Sequence, residues 1–342
     1  MIDNEGIQVN EAHDCLLCRG EGVLLYSGLR DRLFGAPGSW SLMKCPRCQL
    51  VWLNPRPIPD DIGKLYSQYF THQALDAQKS ALAGLNKSLK ASILQSSFGY
   101  QMEDSNRIIG SVLSKIGPLR DIAGGNVRYL KGREKGRLLD VGCGNGIFLD
   151  QMKQLGWEVV GVEPDEGAAS VAVKKFGLEV FQGSLEDAKF PNGHFNAITL
   201  NHVLEHVLDP IELLKECRRV LRPGGKLVVA TPNIRSLGAH VFGEYWRGLE
   251  IPRHLFLFST RALGACANAA ELNIQVLRTT ANLGRFIWAA SSLIRRGGMH
   301  QSCSPEAPGL KLRLEGLAFQ ASEHGLCGIW GAGEELVMVA TK

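Results

Sequence analysis

Hydrophobic and polar positions change rhythm along this chain. From residue 137 onward, short apolar runs alternate with stretches whose apolar residues recur at helical spacing, the pattern of a parallel sheet with helices on both faces. "RLLDV" (137–141) reads as a buried strand, followed by a glycine turn and the helix "GIFLDQMKQLG". "EVVGVE" (158–163) is a second strand, "GAASVAVKKFG" the next helix and "LEVFQG" a third strand; "FNAITL" (195–200) is a fourth and "GKLVVAT" (225–231) a fifth. Between the last two, Asp209, Pro210 and Glu212 mark a helix start, with a capping side chain, proline in the first turn and a glutamate three residues after the cap. Leu213, Leu214, Cys217, Val220 and Leu221 give that helix its buried stripe. "RPGG" (222–225) is expected to end it with a left-handed C-cap. "NIQVLRTT" (273–280) and "ELVMVAT" (335–341) complete the sheet.

Upstream the rhythm is helical and then irregular. "ALDAQKSALAGLNKSLKASILQ" predicts a helix, serving as cap or linker. "NPRPIPDD" (54–61) is proline-rich and reads as a boundary. "RYLKGREKGR" (128–137) reads as an exposed, glycine-broken hinge. Three units follow: residues 1–57, a helical segment 58–135 and a main domain 136–342. Within the main domain, long connections at about 234–258 and 284–333 lie on the acceptor side, because long connections in compact folds tend to be binding loops.

Composition narrows the class. The chain has 342 residues, 45% hydrophobic and 21% charged, with a formal net charge of +4; this is an ordinary globular balance, with too little charge to argue for nucleic acid or anionic lipid. The acidic start "MIDNEGIQVNEAHD" has no signal-peptide layout, and no apolar run reaches membrane-spanning length. A cytoplasmic address with reduced thiols is therefore expected. In that setting, Cys15-x-x-Cys18 and Cys45-x-x-Cys48 present four thiolates for one structural Zn²⁺. The short strands "GVLLYSG" and "SWSLMKCPRCQLVWLNP" flank them as a zinc ribbon requires.

The first strand of the main domain runs into "LDVGCGNG": Asp140, Gly142, Cys143, Gly144, Asn145 and Gly146. A glycine turn here lets a ligand approach bare backbone. The dinucleotide fingerprint G-x-G-x-x-G fits poorly, since its third position falls on Ile147. Asp140 would repel a pyrophosphate and attract an ammonium. Glu163, ending the second strand, stands where a carboxylate meets ribose hydroxyls. A cationic ligand with an adenosine tail satisfies both acids.

"LLDVGCGNG", "VVGVEP", "NHVLEHVLDP" and "LRPGGKLVVATPN" resemble class I S-adenosylmethionine-dependent methyltransferases. The C-x-x-C pairs followed by "LVWLNPRP", with the later "YWRGLEIPRHLFLFS", resemble a bacterial subgroup carrying a small zinc-binding module ahead of that fold, some members being similar to enzymes of sugar and cell-surface glycan tailoring. The resemblance implies an α/β fold: a Rossmann-like, seven-stranded methyltransferase sheet with helices on both faces, preceded by a small zinc ribbon and a helical segment. It implies that Gly142, Cys143 and Gly144 pass the methionine moiety with Asp140 near its ammonium. Glu163 and Pro164 would meet the ribose, Ser184 and Leu185 would flank the adenine, and Asn201 would close the site. Asn196 replaces an aspartate usual in relatives, at a strand edge.

His202, Glu205 and His206 have the H-x-x-E-H spacing that, on a helix, would share one face as in one class of zinc peptidase. Nothing else in the chain suggests that fold, and the triplet follows strand four beside the crevice of the sheet. Three readings stay open: it packs the pocket, it supplies a base in His202 or His206, or it holds a divalent ion. Ubiquinone-pathway O-methyltransferases are similar here, with an acid at the position of His202 and matching Glu205 and His206. His254 in "IPRHLFLFS" is another candidate base. Phe242, Tyr245, Trp246, Arg247 and Arg253 either bind a small-molecule or glycan acceptor or cover a sheet edge. The helices within 284–333 pack on the lid or form a homodimer face. The expected activity is methyl transfer, to oxygen before carbon or nitrogen. The main rival is an RNA-modifying methyltransferase that uses the zinc module as a reader. Against it, residues 1–60 hold six Lys/Arg and seven Asp/Glu, without the basic excess that phosphate recognition demands.

Overall fold

The computed structural model describes residues 2–66, 87–297 and 309–342. Strands β1 (Ile2–Asn4), β2 (Ile7–Asn10), β3 (Val23–Leu29), β4 (Trp40–Lys44), β5 (Val51–Asn54) and β6 (Arg56–Pro57) come first, followed by helices α1 (Lys87–Phe98), α2 (Arg107–Leu113) and α3 (Gly117–Asn126). The alternating part comprises β7 (Arg137–Val141), α4 (Ile147–Gln154), β8 (Glu158–Glu163), α5 (Glu166–Phe176), β9 (Glu179–Gln182), β10 (Phe195–Asn201), α6 (Pro210–Val220) and β11 (Leu221–Pro232). Then follow α7 (Leu237–Phe242), β12 (Phe256–Leu257), α8 (Thr260–Ala269), β13 (Asn273–Thr280), α9 (Gly284–Arg295), α10 (Leu310–Trp330) and β14 (Glu335–Thr341). Residues 74–86 of the helix expected over 74–95 lie outside the described residues. Among the described residues no helix is long and apolar enough to cross a membrane.

Seven strands form the main sheet in the order β13-β14-β11-β10-β7-β8-β9. β14 runs antiparallel to both of its neighbours, while β7, β8, β9, β10 and β11 pair in parallel. Leu138, Leu139, Ile198, Leu200 and Val229 are fully buried, as central strands covered on both faces require. The chain builds outward from β7 to β9, then returns to lay β10 on the other side of β7. Loops leaving β7 and β10 therefore diverge and open a crevice. The flanking helices start where their caps say: Asp165 accepts from the Ala168 amide and Asp209 from those of Ile211 and Glu212.

"RPGG" does not cap α6. Leu221 passes directly into extended backbone and pairs with Phe195, so the tetrapeptide lies inside β11. Gly224, at φ +72°, lies where the register jumps from Phe195↔Leu221 to Ala197↔Lys226. Strand pairing from Leu221 leaves no residues for a helical cap.

Nor is "NPRPIPDD" an open boundary. Arg56 and Pro57 pair with Asn10 and Val9 of β2, at a strand edge where proline's missing N–H is tolerated. The cysteine-bearing module is completed by the main domain: β12 pairs with β5, giving a four-stranded sheet β12-β5-β4-β3. Trp40, Trp52, Phe256 and Phe258 share one continuous core with the main sheet.

An ion pair fastens the same junction. Arg253, fully buried, donates two hydrogen bonds to Asp31 at 2.7 and 3.0 Å and one to the Leu65 carbonyl, and its guanidinium lies 4.4 Å from the Phe34 ring centroid. Burial alone would raise the Asp31 pKa; the bonds and charge of Arg253 outweigh it and hold the carboxyl below its usual range. Removing one member leaves a buried charge uncompensated, which costs about 3–5 kcal/mol. Asp31→Ala should therefore lower the urea unfolding free energy by roughly that amount, whereas Asp31→Leu combined with Arg253→Met should recover most of the loss.

Candidate active site

The crevice at β7 and β10 is lined as its residue types require. Gly142, Gly144 and Gly146 all have positive φ, at +70°, +55° and +80°. They serve different ends. A Cβ on Gly146 would strike Leu178 and Ala172, and one on Gly142 would strike Val203; a Cβ on Gly144 would point into open space. Gly146 lets α4 pack, while Gly144 leaves bare backbone facing the crevice.

Asp140 is buried and accepts a 2.6 Å hydrogen bond from the Thr199 hydroxyl. Burial pushes its pKa up to about 7, partly offset by that bond and by the charge of Arg128. Glu163 accepts from the Gly144 and Asp165 amides at 2.7 and 3.0 Å; burial raises its pKa. These bonds fix the carboxylate and leave lone pairs for hydroxyl donors. The Asn201 side-chain oxygen is buried with no hydrogen-bond partner. An open glycine, an underused acid and an orphaned amide oxygen in one crevice fit a nucleoside ligand with a cationic group. Cys143 is buried and its thiol is pushed up by burial; it packs and does not react. Pro164 follows Glu163 directly. Ser184 is exposed, its hydroxyl bonded to Asp187, and the side chain of Leu185 is sunk in the core. An adenine contact from Leu185 would therefore come from its main chain. Asn196 accepts from the Arg137 amide at the strand edge.

Residues 202–206 form a turn, not a helix, so the H-x-x-E-H triplet does not share one helical face. His202 itself has left-handed backbone, φ +55°. Its two ring nitrogens lie 3.1 Å from Glu205 and 3.1 Å from Glu335. Burial opposes its charge, but the two carboxylates outweigh burial and raise its pKa to about 10. Glu205 is likewise held ionised: against its burial, His202 lowers its pKa to about 2.

His206 and His254 meet edge to face, with centroids 4.7 Å apart. His254 Nδ1 donates to the Gly248 carbonyl at 2.8 Å; burial, reinforced by the nearby His206 imidazole, lowers its pKa to about 4. His206 Nδ1 lies 3.1 Å from the Arg253 carbonyl and 3.0 Å from the Tyr66 hydroxyl. Since a carbonyl only accepts, the proton sits on Nδ1 and Nε2 is the basic nitrogen. Donor atoms of Glu205, His206 and His254 lie within 4.8 Å of one another, as do those of Cys15, Cys18, Cys45 and Cys48.

Most of the expected acceptor-side residues are spent on packing. Trp246 and Phe242 are buried, and the Trp246 indole donates to Glu334 at 2.8 Å. Tyr245 lies under Arg32. Arg253 belongs to the ion pair with Asp31, and Arg247 pairs with Glu250. Sequence reading missed Thr199, Tyr66 and Glu335, whose partners lie far off in the chain. It also misjudged "RYLKGREKGR": Lys131, Arg133 and Lys135 are exposed, but Arg128 and Tyr129 are half-buried against the domain.

Residues 119–277 match the model of a methyltransferase domain. The chain is 37% identical over 122 residues to a ubiquinone biosynthesis O-methyltransferase from Parvibaculum lavamentivorans, an alignment covering 34% of this chain and 48% of that one. It is 39% identical over 104 residues to one from Xanthomonas oryzae pv. oryzae, covering 28% and 43%. The chain thus spans about half the length of the curated relatives it matches. A crystal structure of an S-adenosylmethionine-dependent methyltransferase from Thermotoga maritima, described as a possible histamine N-methyltransferase, aligns over 60% of this chain and 81% of its own at 22% identity and a TM-score of 0.41. The match over residues 119–277 takes in β7 to β11, the glycine turn and the crevice, so this part of the chain is similar to a methyltransferase domain.

The raised Asp140 pKa has a signed consequence. An ammonium seated beside Asp140 would bind the ionised carboxylate, so affinity for S-adenosylmethionine should then rise between pH 6 and 8, and Asp140→Asn should flatten that rise. In the free protein folding favours the protonated acid: that contribution to stability is present below pH ~4 and is lost as pH rises through about 7. Calorimetric titration and thermal melts across this range check both trends.

Proposed function

We propose that this protein transfers the methyl group of S-adenosylmethionine to a hydroxyl of a small-molecule acceptor. The observation that carries the reading is the convergence of Gly144, Asp140, Glu163 and the orphaned Asn201 oxygen at the sheet's crevice. The relatives' O-methyltransferase names support oxygen as the receiving atom. The glycan-tailoring resemblance makes a sugar-type acceptor the finer proposal.

A sulfonium methyl is already activated, so alignment of the acceptor with carbon and sulfur supplies much of the acceleration. The acceptor hydroxyl must lose a proton as attack proceeds. Among the three histidines, His202 is already charged and His254 is too weak a base. His206 remains, its Nδ1–H anchored on the Arg253 carbonyl and its Nε2 able to accept. On taking the proton, the imidazolium would be met by that carbonyl and by the Tyr66 oxygen. A second reading rests on the spacing of Glu205, His206 and His254: these would hold a divalent cation, which would acidify a bound hydroxyl. The RNA-reader alternative finds no support in the cysteine module, one edge of whose sheet is taken by β12.

Incubating the protein and host-cell extract with methyl-labelled S-adenosylmethionine should label a small molecule. His206→Gln should cut the labelling rate by about 10²–10⁴ while leaving cofactor affinity within about twofold. Labelled RNA, or an unimpaired His206→Gln, would overturn the respective part of the reading. Loss of labelling on chelation, restored by added metal, would favour the cation reading.

The four cysteines fit a structural zinc: their sulfurs converge, with Cys15 and Cys48 3.4 Å apart and Cys18 and Cys45 3.3 Å apart. No position would be left for substrate. One zinc per chain by elemental analysis is expected, falling to near zero in Cys45→Ser together with a lowered unfolding temperature. A metal-free preparation with unchanged stability would sink the assignment.

A further inference from the structure

A formal net charge of +4 says little about where the charges sit. In the helices between β13 and β14 they gather around an apolar face. Gly284 at the start of α9 packs on Gln320 and Glu323, Arg285 on Gly316, and Trp288 on Glu315 and Phe319. As α9 advances, its partners move back toward the start of α10, so the two helices are antiparallel.

α10 is apolar on two opposite sides. Its inner face, with Gly316, Phe319, Gln320 and Glu323, is buried. On the outer side, Leu310, Leu314, Leu317 and Ala321 recur at steps of four, three and four, which makes one helical stripe. All four are exposed, the leucines at 74, 57 and 47%. A helix on a globular surface normally turns its charged residues to that side. Here they are displaced to the flanks. Lys311 and Arg313 border the stripe left and right. α9 adds Arg285, and its last turn and cap add Arg295 and Arg296 at the end of the pair where α10 begins. Among the described residues of α9 and α10, every exposed charge is positive. Glu315 is half-buried and accepts from the Trp288 indole, and Glu323 is buried.

An exposed apolar stripe rimmed by charge marks a surface that something covers. A second copy related by a two-fold axis would set this patch against itself. Its cations would then face one another, with no exposed acid on either helix to answer them. An anionic bilayer answers both features: the leucines enter the headgroup boundary while lysine and arginine meet lipid phosphates. Neither helix is apolar enough to cross a membrane, so the arrangement is one that lies on the surface. We propose that the outer face of α10, with the arginines of α9 beside it, docks this protein on anionic membrane lipid.

Sedimentation of the full chain with phosphatidylcholine vesicles, prepared with and without phosphatidylglycerol, tests this. Wild type should bind the anionic vesicles about 10-fold or more tightly than the neutral ones, and raised salt should release much of it. Leu314→Glu changes an exposed position and leaves the core intact. It should weaken vesicle binding by about 10-fold or more while the melting temperature stays that of wild type. Lys311→Glu combined with Arg313→Glu should erase the preference for anionic lipid, again without a change in melting. Wild type that stays in the supernatant, or that binds both kinds of vesicle equally, would overturn the proposal. So would a Leu314→Glu variant that binds as tightly as wild type. A dimer in sedimentation velocity that Leu314→Glu converts to monomer, with no uptake by vesicles, would assign the face to a second copy and overturn it as well.

Discussion

A guanidinium with no access to water must have its charge and its donors answered by protein. Arg253 is answered by groups far apart in sequence: the Asp31 carboxylate, the Leu65 carbonyl, the face of Phe34 and, at 3.5 Å, Glu250. Those partners belong to the loop after β3, the end of the segment leading from β6, and the connection between β11 and β12. Satisfying one side chain therefore fixes three stretches of chain against one another. The site inherits its geometry from that constraint. The Arg253 carbonyl sets the His206 tautomer, Tyr66 stands beside Leu65, and the turn that carries Glu250 also sets His254 on the Gly248 carbonyl. The cysteine module is packed into this part of the fold, and β12 makes the same point through backbone pairing with β5.

Charge is distributed differently on the two sides of β10. Around the turn at 202–206 three carboxylates are satisfied within the protein: Glu205 by His202 and the Thr231 hydroxyl, Glu335 by His202 and the Thr280 hydroxyl, Glu250 by Arg247 and Arg253. Toward the glycine turn they are not. Asp140 has one hydroxyl donor and sits near pH 7 in its titration; Glu163 has two amides and no cation. A protein left with underpaired acids in one place and fully paired ones in another spends stability at the first. Such a cost is expected where a ligand completes the pairing.

Much of the main domain was legible because its signals are local. "RLLDV", "EVVGVE", "NIQVLRTT" and "ELVMVAT" match β7, β8, β13 and β14 residue for residue: β7, β8 and β14 carry the apolar run of a buried strand, and the half-exposed β13 at the sheet edge shows in its β-branched residues. Capping at Asp209 was legible for the same reason. "RPGG" misled because glycines that could terminate a helix are equally suited to an irregular strand entry, and only the pairing of Leu221 with Phe195 decides between them. His202, Glu205 and His206 misled because i, i+3, i+4 spacing is a helical signature only if the backbone is helical; the positive φ of His202 depends on its partners on β14 and β11, which spacing does not encode.

What stayed hidden was pairing across long separations: His202 with Glu335, Arg253 with Asp31, and Tyr66 with His206. Each joins two residues that look unremarkable alone. The histidines show what this does to chemical reading. Sequence treats His202, His206 and His254 alike, three imidazoles near one crevice. The fold makes one a cation between two carboxylates, one a buried neutral ring, and one an imidazole with its donor nitrogen anchored and its acceptor nitrogen available. Proton abstraction needs the third of these states. The Arg253 carbonyl that creates it is held in place by Asp31, on the far side of the molecule's sequence.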